Sequence, residues 1–266
     1  MTTLLNAGNV HAKYGSKTVM LTSVTLLLVL GPNAWMLSPR DLAVKVDPNS
    51  FGGAKTTARS RIEEQYFATN YYDRKDLAKR MQWYTTGFEN RVWRSLEVGW
   101  YDAALPEEKQ KAPLGSLEAT DDFEELMIRV LFDYRRTHPT AYIPLLKRLL
   151  ALDPKNYRLL RARYSSCFYV GTDGPAASTF YAERARDIRP NDPATTMLMF
   201  GYYFNRVAYR LGDIEQDFRM FRSWEKAAQQ IVKSSSDPAA LNDQMWLKSS
   251  AETAQRIVFN FRKQGG

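Results

Sequence analysis

Residues 121–134 read DDFEELMIRVLFDY. Phe123, Leu126, Met127, Val130, Leu131 and Tyr134 fall at offsets 0, 3, 4, 7, 8 and 11, which puts all six on one face of an α-helix and fits no period-2 alternation. Asp121 stands three residues before Glu124, the spacing of a capping box at a helix start. One helix with one apolar stripe is predicted here. Downstream the same period returns. A second helix follows Pro139 with Ile143, Leu145, Leu146, Leu149, Leu150 and Leu152 nearly continuous. A third is expected to start at Asp153-Pro154, since proline suits a first helical turn. The turn Gly171-Thr172-Asp173-Gly174-Pro175 precedes a fourth, about 176–189. A fifth runs from about Pro193 to Leu211, with Met197, Phe200, Gly201, Phe204, Ala208 and Leu211 along one stripe, and Gly212-Asp213 ends it. A sixth carries Ile214, Phe218, Phe221, Ala228 and Ile231, and a seventh starts near Asp237-Pro238 and reaches toward Phe261. The body shows no convincing strand pattern, so the fold class is all-α.

Upstream, residues 56–104 also read as helical and are dense in aromatics, among them Tyr66, Phe67, Tyr71, Tyr72, Trp83, Trp93 and Trp100. A polar loop with proline and glycine, 105–119, separates this region from a helical domain at 120–266. Residues 38–55 carry Pro39, Pro48, Gly52 and Gly53 and read as a linker. Before it, no charged residue lies between Lys17 and Arg40. The run 18–37, TVMLTSVTLLLVLGPNAWML, has about the roughly 20 residues a helix needs to cross a bilayer. Gly31 and Pro32 interrupt it tolerably for a membrane helix, and Trp35 stands where an interfacial aromatic belongs. The reading is a single-pass signal anchor behind a basic tail, 1–17. A cleaved signal peptide is the first alternative, weakened by the poor cleavage site Pro32-Asn33-Ala34; a buried helix is the second. Lys13 and Lys17 before the span nearly balance Arg40, Lys45 and Lys55 after it. An inside N-terminus is favoured, with the body in the periplasm of a bacterial inner membrane; a mitochondrial membrane is the other placement.

Composition sets outer limits. A hydrophobic fraction of 44% and a charged fraction of 25% are those of a folded chain and exclude general disorder. The net charge is +8, but lysines and arginines recur singly or in pairs among acids with no block of five or more, so the pattern does not indicate a nucleic-acid tail. One cysteine, Cys167, excludes an intrachain disulfide and any CxxC chemistry. The 13 Phe, 15 Tyr and 6 Trp exceed what a bare helical core needs, which leaves aromatic surface for contact with partners.

From about Asp153 to Ile231 the sequence resembles tetratricopeptide repeats in degenerate form. Counted back from Pro190, Ala185 falls on the small position of a second helix, Tyr181 lies next to its aromatic position and Ser178 takes the earlier small position. Ser166 and Tyr169 fall on the small and aromatic positions of the first helix. Pro154 and Pro190 stand 36 residues apart, near the repeat period of about 34. Tyr209-Arg210-Leu211-Gly212-Asp213, followed by Trp224-Glu225-Lys226-Ala227, is similar to the turn and second helix of another repeat. The usual Trp and Leu early in the first helix are missing, and Pro190 to Pro238 spans 48 residues. The resemblance implies an array of helical hairpins with a concave surface that captures peptides or partner helices. It nominates the first-helix residues Arg161, Tyr164, Asn205, Arg206 and Tyr209 as partner-binding.

No nucleophile elbow, phosphate-cradling loop, HExxH or EF-hand pattern is present. His138 sits at a helix boundary, His11 lies in the leader, and Cys167 has no evident activator. No catalytic residue, metal ligand or cofactor is therefore expected. The function expected is that of a non-catalytic scaffold or assembly subunit of a membrane complex, bound to other proteins through its helical body. Two alternatives carry their own signatures. A membrane-tethered enzyme would show a deep pocket holding titratable groups with shifted pKa values. A protein binding nucleic acid or anionic lipid would show a one-sided basic face.

Overall fold

A computed structural model describes residues 54–98, 122–134, 139–168 and 174–264, all within one compact unit that spans 45–266. The described residues are helical and contain no strand. The chain forms α1 (Ala54–Ala68), a 3₁₀ turn (Tyr71–Asp73), α2 (Arg74–Tyr84) and α3 (Gly87–Val98). It continues with α4 (Phe123–Arg129), which runs into a π-helical turn (Val130–Tyr134), then α5 (Pro139–Leu152) and α6 (Tyr157–Ser166). A 3₁₀ turn (Pro175–Ala177), α7 (Ser178–Ile188), α8 (Pro193–Tyr209), α9 (Ile214–Lys233) and α10 (Pro238–Lys263) complete it. No helix among the described residues is long and apolar enough to cross a membrane. The expected tail 1–17, span 18–37 and loop 105–119 lie outside the described residues, as does the linker at 38–55 except for its last two residues, which begin α1.

The helix starts follow cap chemistry, with two corrections. Asp192, Asp213 and Asp237 each accept a hydrogen bond from an orphan N–H in the first turn of α8, α9 and α10, at 2.8, 2.9 and 2.7 Å. At α4 the cap is Asp122, not Asp121: its Oδ1 accepts from the N–H groups of Glu124 and Glu125. Glu124 does not close a capping box. It turns inward, where Arg59 lies 3.2 Å away and the Ser95 hydroxyl donates to it at 2.8 Å. The second correction concerns Asp153-Pro154, which does not open α6. The Asp153 carboxylate is already engaged by Arg59 at 3.3 Å and by the Asn156 amide at 3.0 Å. Asn156 caps instead, its Oδ1 accepting from Arg158 and Leu159 N–H at 3.2 Å each.

Consecutive helices lie side by side: α2 on α3, α5 on α6, α6 on α7, and α7 through α10 in series, with α1 also meeting α3 and α8 meeting α10. Small residues mark the contacts, since Ser166, Ser178, Ala182 and Ala185 are fully buried. Five residues of the predicted stripe are also buried: Phe123, Leu126, Met127, Val130 and Leu131 form a core with Leu146, Leu149 and Leu159. A larger core unites α6 to α10 around Phe200 and Phe221, whose rings lie 5.0 Å apart. Residues 71 and 72 join it. The Tyr72 hydroxyl donates to Asp243 on α10 at 2.9 Å, and Arg74 reaches Asp192 at the start of α8. The aromatic N-terminal helices and the repeat-like helices thus share one packed body.

Candidate functional site

The sequence of α6, YRLLRARYSS, sets the site. Tyr157, Arg161, Tyr164 and Phe168 recur at intervals of four, three and four residues and share one face. Arg158, one residue along from Tyr157, borders the same face. These side chains form a wall of a cavity of about 470 Å³. Tyr66 and Phe67 of α1, Tyr71 of the 3₁₀ turn and Arg74 of α2 close it on one side. Met197, Leu198, Gly201 and Asn205 of α8 close it on another, and Asp243 and Trp246 of α10 complete it. A Cβ on Gly201 would stand 3.5 Å from the Trp246 ring, so anything larger than a methyl group would displace that ring or enter the cavity.

The aromatic wall is fastened by hydrogen bonds. Asn205 Nδ2 donates to the Tyr164 hydroxyl and Thr195 Oγ1 to the Tyr157 hydroxyl, each at 2.9 Å. Burial raises the Tyr71 and Tyr164 phenols well above their ordinary range, so both stay neutral at physiological pH. Burial also raises the Asp243 carboxyl, against the hydrogen bond from Tyr72.

The charges of the site fall into two kinds. Arg74, 1% exposed, is saturated. Its two terminal nitrogens meet Asp192 at 3.1 and 2.7 Å, its Nε donates to the Thr69 carbonyl at 3.1 Å, and its guanidinium lies within 6 Å of the Tyr66, Phe67 and Tyr71 rings. Arg158 and Arg161 are different. Both terminal nitrogens of Arg158 and the Nε of Arg161 are buried without an acceptor among the described residues. Neither residue makes an ion pair among the described residues, and Arg161 otherwise lies over the Tyr157 ring at 5.7 Å. Burial lowers the Arg158 pKa against the opposing influence of Tyr66, Glu124 and Glu63, whereas at Arg161 burial is outweighed by its neighbours, Tyr157 first, and the pKa is raised; both arginines remain charged at neutral pH. Asp243 is the one acid lining the cavity among the described residues, and it lies beyond 4 Å from both.

Of the five residues nominated from sequence, three meet here: Arg161, Tyr164 and Asn205 line the cavity. Tyr209 stands outside it, half exposed and stacked on Phe168 at 5.8 Å. Arg206 faces elsewhere, its Nε donating to Asp217 on α9 at 2.7 Å. Sequence reasoning missed Arg158, Arg74, Asp243 and Trp246. The signal at hand was Arg158, three residues before the nominated Arg161 on the same helix. No group of three metal-ligating side chains occurs among the described residues, and Cys167 is buried with its thiol donating to the Arg163 carbonyl. His11 and His138 lie outside the described residues.

No protein-family model matches the chain, and neither a curated protein nor a solved structure is similar to it.

Proposed function

We propose that the protein is a non-catalytic binding subunit, a repeat-like helical scaffold held at a membrane by residues 18–37, that receives a segment of a partner protein in the cavity beside α6. The observation that carries the reading is the cavity itself. It is of ligand-pocket size, walled by tyrosines, phenylalanine and tryptophan with a few placed polar groups, and it gathers Arg161, Tyr164 and Asn205. The serial packing of α5 to α10, with small residues between helices, supports a tetratricopeptide-like array as its frame. The anchor rests on the apolar run alone.

One observation favours a second reading. The deep pocket with shifted titratable groups expected of a membrane-tethered enzyme is present. Its shifts, however, move the tyrosines away from neutrality; Asp243 moves toward it, and Arg158 does so while remaining a charged arginine. A general acid or base works best with a pKa near the operating pH, and the Asp243 carboxylate is tied to the Tyr72 hydroxyl, its one hydrogen-bond partner among the described residues. Binding is therefore the better account.

Mass determination after mild detergent extraction at native expression level tests the proposal. A particle of fixed composition, larger than the chain's 30.6 kDa, is expected. A lone monomer would overturn the scaffold reading and favour the enzyme.

A further inference from the structure

We propose that Arg158 and Arg161 are the receptor for one oxyanion, a carboxylate or phosphate, carried on an apolar or aromatic body that the cavity encloses. This rests on the binding reading and names the group recognised. Removing a cation from water is costly unless a counter-charge meets it. The fold meets that cost at three other arginines: Arg74 has Asp192, Arg59 has Glu63, Glu124 and Asp153, and Arg206 has Asp217. At Arg158 no carboxylate pairs directly among the described residues, Glu124 and Glu63 acting only from beyond 4 Å, and the partly exposed Arg161 makes no ion pair among them either; both stand in the wall of the same cavity. Water in a cavity can take up their hydrogen bonds but not their charge. The residues lie three apart on α6, one turn, so one ligand group can reach both. The planar guanidinium fork suits two oxygens at once, the geometry of a carboxylate or phosphate.

The helix end is not the receptor, because Asn156 already takes the Arg158 and Leu159 N–H groups. Asp243, on α10, sets direction. Its negative charge repels an oxyanion, which directs the anion to α6 and leaves the apolar body against Trp246 and Tyr164.

The test uses the full chain in mild detergent with three probes: 4-phenylbutyrate, phenyl phosphate and the neutral 4-phenylbutyramide. Calorimetry and thermal unfolding should show saturable binding of at least one acid and none of the amide. Arg158→Met should weaken that acid's Kd by about 10- to 100-fold, the range for a hydrogen bond to a charged group. It should also melt above the parent, because an unpaired buried charge has been removed. Arg161→Gln gives an independent reading of the same loss of affinity. The inference is overturned if acid and amide behave alike, if both variants bind as the parent does, or if Arg158→Met melts below the parent. The two proposals fail separately. Acid-selective binding by a protein that extracts alone sinks the partner reading. Companions that persist without acid selectivity sink the oxyanion site.

Discussion

Arg74 and Arg158 are both buried arginines against the same cavity, 1% and 8% exposed, and they are treated in opposite ways. Arg74 is locked by a bidentate carboxylate, two backbone carbonyls and three aromatic rings. Its partner Asp192 also caps α8, so one ion pair ties α2 to the start of a helix 118 residues away. Arg158 has no acceptor for either terminal nitrogen among the described residues. The difference separates charge that builds the body from charge the body leaves available. A fold that supplies counter-ions to Arg59, Arg74 and Arg206 has the means to supply one to Arg158; leaving it unpaired marks a place where stability is given up for a ligand.

Breaking the paired side gives the largest effect. Arg74→Met leaves Asp192 buried with no cation and loosens α2 from α8. The expected loss is about 3–5 kcal/mol, the range for removing one member of a buried pair, read as a lower denaturant midpoint. A loss below about 1 kcal/mol would show that the pair is no more than a surface contact, on the scale of exposed salt bridges.

Supplying the missing partner gives the next largest. Ala162 lines the cavity one helical turn beyond Arg158. Ala162→Glu places a carboxylate where the ligand's oxyanion is proposed to sit. A gain of about 1.5–3 kcal/mol, the scale of a hydrogen bond to a charged group, is expected. Acid-selective binding should disappear with it. A loss of stability would mean that Arg158 is content as it stands, and the contrast with Arg74 would collapse.

Asn156→Ala follows. Removing an asparagine N-cap costs about 1 kcal/mol. Here the loss should depend on Arg158. Fraying the first turn of α6 lets the unpaired guanidinium reach solvent, which returns part of the cost. The measured loss in the parent should therefore be smaller than in an Arg158→Met background, where fraying releases nothing. Equal losses in the two backgrounds would show that Arg158 carries no strain at its position.

The helices were largely legible in the sequence, because apolar period and Asp-Pro starts are local signals. Helices begin at Pro193 and at Asp237-Pro238 as read, and Phe123, Leu126, Met127, Val130 and Leu131 of the predicted face are buried as read. Asp153-Pro154 misled because its carboxylate is spent on Arg59, a residue 94 positions earlier, which no local pattern reveals. The inward turn of Glu124 toward the same arginine was hidden for the same reason. The site was half legible. Arg161, Tyr164 and Asn205 follow from first-helix positions in the repeat resemblance. Arg74, Asp243 and Trp246 come from helices that the resemblance does not cover. Arg206 sits on the nominated face but is drawn to Asp217 across the next turn.

The smallest expected effect is a slope with pH, and it extends the comparison to acids. Glu124 is buried with Arg59 beside it, yet burial outweighs both that charge and the Ser95 hydrogen bond, and its pKa is raised. Glu225 and Asp243 are raised by burial too. A carboxyl whose folded pKa lies above its unfolded value, about 4.3 for glutamate, binds its proton more tightly when folded. Its contribution is fully present below the unfolded value and is lost as pH rises through the folded one. Stability should therefore rise as pH falls from neutrality toward about 4.3. Glu215 has the opposite sign, since Arg262 lowers its pKa, but its contribution is lost only on further acidification, as pH falls through the lowered folded value. Urea midpoints measured from pH 7 to pH 5 should climb. Glu124→Gln should flatten part of that climb, whatever it does to the absolute midpoint by leaving Arg59 to Glu63 and Asp153. A midpoint that falls over this interval in the parent would mean that ion pairing, not burial, governs the carboxylates of this body. Arg158 would then be the exception rather than one end of a continuous trade between pairing and burial.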